Sequence, residues 1–107
     1  MWEAWGEGRM DDVAAAMHPD VVWRPITRPG RSEYRGPDGV RQMRLDIERL
    51  RGQMDVLIDE VIPTEGDTVR SVGHVRFPVD ADKTAFAVVF SFREGLIFLA
   101  ETVSGRE

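Results

Sequence analysis

The chain has 107 residues, 42% of them hydrophobic and 31% charged, with a formal net charge of −5 and no cysteine. That length supports one core and one domain, residues 1–107, and apolar residues recur throughout, which excludes a disordered chain. The missing cysteine excludes disulfides, zinc–thiolate sites and thiol nucleophiles, and an acidic balance without a basic stripe speaks against a nucleic-acid partner.

Residues 1–8 carry two acids, two tryptophans and no basic group, unlike a signal peptide. No apolar run approaches the ~20 residues of a membrane span. The expectation is therefore a cytoplasmic protein with no membrane partner.

The first segment, Met1 to Glu7, reads as a helix closed by Gly8, with Trp2 and Trp5 on one face. A second helix spans about Asp11 to Met17, with Asp11 or Asp12 as cap and Val13, Ala16 and Met17 as its stripe. Pro19 disfavours helical geometry at His18 and stops it there. Val21 to Ile26 reads as a strand, followed by a Pro/Gly/Arg-rich excursion through Glu33.

Pro37 opens the clearest amphipathic helix, which runs to Gly52. Its apolar residues Val40, Met43, Ile47, Leu50 and Met54 are spaced 3, 4, 3 and 4 apart, while Arg41, Arg44, Glu48 and Arg51 lie elsewhere on the cylinder. Four strands follow, at about Met54–Pro63, Thr68–Val79, Thr84–Arg93 and Leu96–Val103, separated by hairpin-like turns. Helices first and a meander afterwards predict an α+β fold, a strongly bent antiparallel sheet wrapped around the long helix.

Four strings in this order resemble the SnoaL-like domain family of the nuclear transport factor 2-like superfamily. They are Gly6-Glu7-Gly8-Arg9-Met10-Asp11, Met17-His18-Pro19-Asp20-Val21-Val22-Trp23, Tyr34-Arg35-Gly36-Pro37-Asp38-Gly39-Val40 and Phe92-Arg93-Glu94-Gly95-Leu96-Ile97. The resemblance spans the chain, with a first helix about two turns shorter than usual and Leu96 in place of a common lysine. It implies a cone-shaped α+β barrel, a pocket between the sheet and the helices, and a homodimer formed through the outer side of the sheet.

Strand alternation groups Val72, His74 and Arg76 against Val69, Ser71, Gly73, Val75 and Phe77. It likewise groups Phe86, Val88, Phe90 and Phe92 against Ala85, Ala87, Val89, Ser91 and Arg93. Alignment with the family implies that the first set of each strand faces the pocket, together with Phe98, Ala100, Thr102, Trp23 and Pro25. The implied cavity has walls of Trp23, Phe86, Val88 and Phe90, with His74 and Arg76 as its polar groups. Tyr34 and Arg35 stand near its opening.

His74 is the candidate catalytic residue, because an imidazole with an ordinary pKa near ~6.5 serves as general acid or base. Arg76 is a candidate holder of a ligand carboxylate or enolate. Each has a plainer alternative: a hydrogen-bonded strand histidine, an arginine paired with a neighbouring carboxylate, and aromatics that fill a small core. His18 is expected to serve the helix end, and Glu101 an outer-face role beside Ile97, Leu99 and Val103.

The aspartate that cyclase-like and isomerase-like members carry on the third long strand is replaced by Val88. The isomerase base and tyrosine fall at Pro25 and about Met1, and the epoxide hydrolase-like Asp–Arg–Asp set has no inward aspartate. Two distant histidines form no metal site, and no cofactor is implied. Three functions stay open: a binding domain for a small hydrophobic molecule, an isomerase, cyclase or hydrolase using His74, and a protein-interaction module using the outer sheet face.

Overall fold

The computed structural model describes residues 1–25, 33–78 and 83–104. The chain opens with two short helices, α1 (Trp2–Glu7) and α2 (Met10–Ala15), and continues into strand β1 (Met17–Arg24). Gly8 closes α1 at φ 76°, in the left-handed region that a residue with a Cβ avoids. Helix α2 starts one residue before the expected aspartates. Asp11 and Asp12 sit in its first turn, where they complement the helix dipole rather than cap it. Strand β1 begins at Met17, four residues earlier than the sequence suggests, and Ile26 lies outside the described residues.

A two-residue strand, β2 (Tyr34–Arg35), precedes the long helix α3 (Gly36–Arg51), in a stretch where the sequence predicts only loop. Helix α3 carries Pro37 in its first turn and buries Val40 and Met43, as its periodicity predicts. Leu50, assigned to the same stripe, is instead 57% exposed, while Arg44, read as a surface residue, is buried. The Arg44 guanidinium donates to the Trp5 carbonyl, lies 5.2 Å from the Trp5 ring centre and approaches Glu48 at 3.7 Å. Its burial is tolerated because each face of the fork finds a partner.

The remaining strands are β3 (Asp55–Pro63), β4 (Thr68–Arg76), β5 (Thr84–Arg93) and β6 (Leu96–Ser104). They form one six-stranded sheet in the order β2-β1-β6-β5-β4-β3. All neighbours are antiparallel except β1 and β6, which run parallel. The sheet is thus mixed rather than purely antiparallel, because β1 returns to the sheet through α3 and the meander instead of a hairpin. At the β5–β6 turn both Glu94 (φ 57°) and Gly95 (φ 79°) are left-handed, the geometry of the tightest hairpins.

Besides a shift between Met17 and Val22 in the β1–β6 pairing, two register shifts interrupt the antiparallel ladders. One lies in β3 between Ile58 and Glu60 and makes Asp59 the extra residue; the other falls between Ser91 and Phe92, opposite Phe98. The second turns Ile97 into the core and leaves Phe98 against the His18 ring and under the Arg93 guanidinium, so the two exchange their expected faces. Among the described residues no helix is long and apolar enough to cross a membrane.

Candidate functional site

A cavity of about 420 Å³ lies between the concave side of the sheet and α1 and α3. Its size is ordinary for a small-molecule pocket. Three tryptophans from the ends of the architecture meet in it. Trp5 stacks on Trp23 with ring centres 5.4 Å apart, and Trp2 stands edge-on to Trp23 at 6.2 Å and to Phe86 at 5.9 Å.

Every indole N–H is used within the protein. Trp2 donates to Ser71 Oγ at 3.0 Å, Trp5 to Met54 Sδ at 3.2 Å and Trp23 to Thr102 Oγ1 at 3.3 Å. Those bonds fix the rings and leave carbon faces and edges toward the cavity. Helix α3 adds Met43 and Ile47, and the strands add Val56, Val75 and Val88.

The charged residues of the described lining are Arg51 and Lys83. Arg51, in the last turn of α3, lies with its guanidinium 4.1 Å from the centre of the Phe77 ring. Lys83 and Thr84, exposed at the start of β5, also line the cavity. Among the described residues that line this cavity there is no carboxylate, imidazole or phenol.

Of the residues singled out from sequence, Trp23, Phe86 and Val88 line the cavity, and Pro25 stands at its edge. Phe90 is buried beside it, 5.6 Å from Trp2. His74 and Arg76 are on the opposite face. The β4–β5 ladder pairs Gly73 with Phe86 and Ser71 with Val88, so the inward residues of β4 are the odd-numbered ones.

The His74 Nδ1 is 2.7 Å from Asp59 Oδ2, on a side chain 40% exposed, and Arg76 lies 3.8 Å from Asp55. The expectation that the imidazole points into the enclosed side is therefore overturned. Alternation fixes which residues of one strand share a face, whereas the phase between two strands depends on the connection joining them.

Tyr34 also stays out of the cavity. It is 2% exposed, and its hydroxyl donates to Asp46 Oδ2 at 2.7 Å, tying β2 to α3. Arg35 is outside too, paired with Glu33 at 2.5 Å. His18 Nδ1 accepts from the Asp20 amide at 3.0 Å, and Glu101 meets Arg24 at 3.2 Å on the outer face. Among the described residues no cluster of three His, Asp or Glu side chains is placed to hold a metal ion.

Trp2, Trp5, Phe77, Arg51 and Lys83 line the cavity without having been marked by the sequence as site residues. The three-residue spacing of Trp2 and Trp5 was the one available signal.

The SnoaL-like domain family matches residues 1–100. The chain belongs to that family. No curated protein matches it. Among solved structures, the domain resembles TerC co-crystallised with polyporic acid, with a TM-score of 0.82, 18% identity, and coverage of 96% of this chain and 84% of that one. An NTF2-like protein of unknown function from Burkholderia pseudomallei superposes with a TM-score of 0.80, 24% identity and coverage of 96% and 83%. A candidate polyketide cyclase from Sinorhizobium meliloti gives a TM-score of 0.78, 15% identity and coverage of 94% and 87%. At these identities the likeness establishes the NTF2-like, cystatin-like fold of this SnoaL-like domain and nothing about its ligand.

Proposed function

We propose that this SnoaL-like domain binds a small hydrophobic molecule in the tryptophan-lined cavity and does so without an acid/base pair. One observation carries this reading: a cavity of about 420 Å³ whose described walls are apolar and aromatic and carry no group that titrates near neutral pH. Val88, in the position where catalytic relatives resembling this chain carry an aspartate, is part of that wall. TerC, with the same fold, was co-crystallised with polyporic acid, a precedent for ligand binding in this architecture.

An enzyme built on His74 is disfavoured, because its imidazole and the cavity lie on opposite faces of β4. Calorimetric titration with 2-naphthol tests the reading. Saturable one-site binding is expected in the wild type and, with unchanged affinity, in His74→Ala. Absence of binding in the wild type rules the proposal out, and loss of binding in a folded His74→Ala protein returns the histidine to the site.

The same proposal includes a homodimer formed through the outer face of the sheet. Val72, Val89 and Leu99 stand there half-buried on three adjacent strands. Light scattering is expected to give twice the 12.1 kDa of one chain, and replacing Leu99 by Lys to return the monomer mass. A monomer in the wild type removes this part of the proposal. The interaction-module reading needs the same face for a different protein and gains no separate support.

A further inference from the structure

Two aromatic walls of the cavity stand nearly perpendicular to each other. Trp5 and Trp23 lie 23° from parallel with ring centres 5.4 Å apart, and the Trp2 ring is turned 75° from the first and 88° from the second. Phe86 stands at 63° to Trp2, 5.9 Å away. All four rings line the cavity. A flat guest ring set parallel to either plane is edge-on to the other, so it meets stacked and edge-to-face partners together, the two arrangements that aromatic quadrupoles favour. A puckered saturated ring offers neither a π face nor an electropositive edge.

The same lining gives a charged guest no counterpart. The three indole N–H groups are bonded to Ser71, Met54 and Thr102. The Arg51 guanidinium lies over the Phe77 ring and already has an interaction partner within the protein, and Lys83 is exposed, where solvent screens its charge. An anion therefore loses hydration without gaining a donor from the aromatic walls, whose π faces are themselves negative. A cation is drawn to those faces but meets Arg51 and Lys83, with no carboxylate in the described lining to offset them.

We infer that the preferred occupant is an uncharged, planar aromatic molecule, selected over an aliphatic one of the same skeleton and over an aromatic carboxylate. The inference rests on the proposed ligand-binding role of the cavity and narrows it to a ligand class. Trp2 sets the choice. It supplies the perpendicular wall and is only half-buried, whereas Trp5 and Trp23 are each 3% exposed and belong to the core.

Calorimetry at pH 7 compares 2-naphthol with trans-decahydro-2-naphthol, which keeps the fused skeleton and the hydroxyl but is saturated, and with 2-naphthoate. The saturated alcohol carries at least as much apolar surface, so walls that respond to area alone bind it equally well or better. 2-Naphthol is expected to bind about fivefold more tightly than the saturated alcohol, the range of one aromatic pair beyond its buried area, and about tenfold or more above 2-naphthoate. Trp2→Leu is expected to bring the two alcohols within about twofold of each other. The wild-type comparison needs no variant, so the ligand class stays testable if Trp2→Leu fails to fold.

Equal or tighter binding of the saturated alcohol to the wild type overturns the aromatic preference. Equal or tighter binding of 2-naphthoate overturns the preference for a neutral guest. Both results leave the hydrophobic-pocket reading standing. An aromatic preference that persists in folded Trp2→Leu overturns the assignment to Trp2. If none of the three ligands binds, the pocket reading falls and the inference with it.

Discussion

Gly73→Ala is expected to destabilise the domain by about 3 kcal/mol or more, at the upper end of what overpacking a core costs. A Cβ at this position falls 2.2 Å from the Leu57 carbonyl oxygen and 3.1 Å from the Ile58 Cα. Both are backbone atoms, so no side-chain rotation relieves the clash. The close approach belongs to the bend in β3, where the register shift after Ile58 drives the strand against β4. Relief requires the two strands to separate, and with them the wall that carries Val56 and Val75.

A loss of this size in a domain of about 100 residues lowers the thermal midpoint by roughly 12 °C or more. Gly6→Ala is the control. It lies inside α1, where an added Cβ meets nothing within 4 Å, and it should be neutral or stabilising by up to about 1 kcal/mol. Thermal unfolding followed by near-ultraviolet circular dichroism reads both. A midpoint for Gly73→Ala within ~3 °C of the wild type shows that β3 is free to move and that the bend is not held by this contact.

The contrast between those two glycines indicates what a sequence of this kind displays. Local periodicity is visible: the stripe of Val40 and Met43 marks α3, and the alternation in Thr84–Arg93 marks β5 with its observed bounds. Gly73, by contrast, sits in a strand whose own pattern has no need of it, and only the approach of Leu57 from another strand explains it. The parallel pairing of β1 with β6 is equally silent, because it joins Trp23 to Ala100 across most of the chain.

The misplacement of His74 has the same origin. Val72, His74 and Arg76 do share a face, and so do Phe86, Val88 and Phe90, but the ladder puts the two sets on opposite sides. One residue of phase in the β4–β5 connection exchanges a polar, catalytic-looking cavity for an apolar one. Arg44 illustrates the complementary failure. Its position on the helix cylinder suggested solvent, yet the arrival of Trp5 from α1 buries it and provides its hydrogen-bond acceptor. The aromatic part of the site was the more legible one, since Trp23, Phe86 and Val88 needed only their own strand's alternation and the family's orientation.

Trp23→Ala carries the other large effect, and it connects the core to the site. The indole is 3% exposed and touches three elements at once from its own place in β1: Trp2 and Trp5 of α1, Phe90 of β5 at 5.7 Å, and Thr102 of β6. Removing a buried tryptophan side chain costs about 3–5 kcal/mol. The loss here should not be uniform. Helix α1 has only six residues, too few to persist in water alone, and the stacking of Trp5 and the edge of Trp2 on this ring are among the contacts that hold it to the sheet.

Amide hydrogen exchange in α1 is therefore expected to accelerate at least tenfold while β4 and β5 change less, and 2-naphthol binding should disappear with the wall it needs. Trp23→Phe keeps the stack but removes the N–H donated to Thr102, so it should cost less and retain α1 protection. If exchange in α1 is unchanged in Trp23→Ala, the first helix is anchored elsewhere, and the tryptophans form a core filler rather than the wall of a binding cavity.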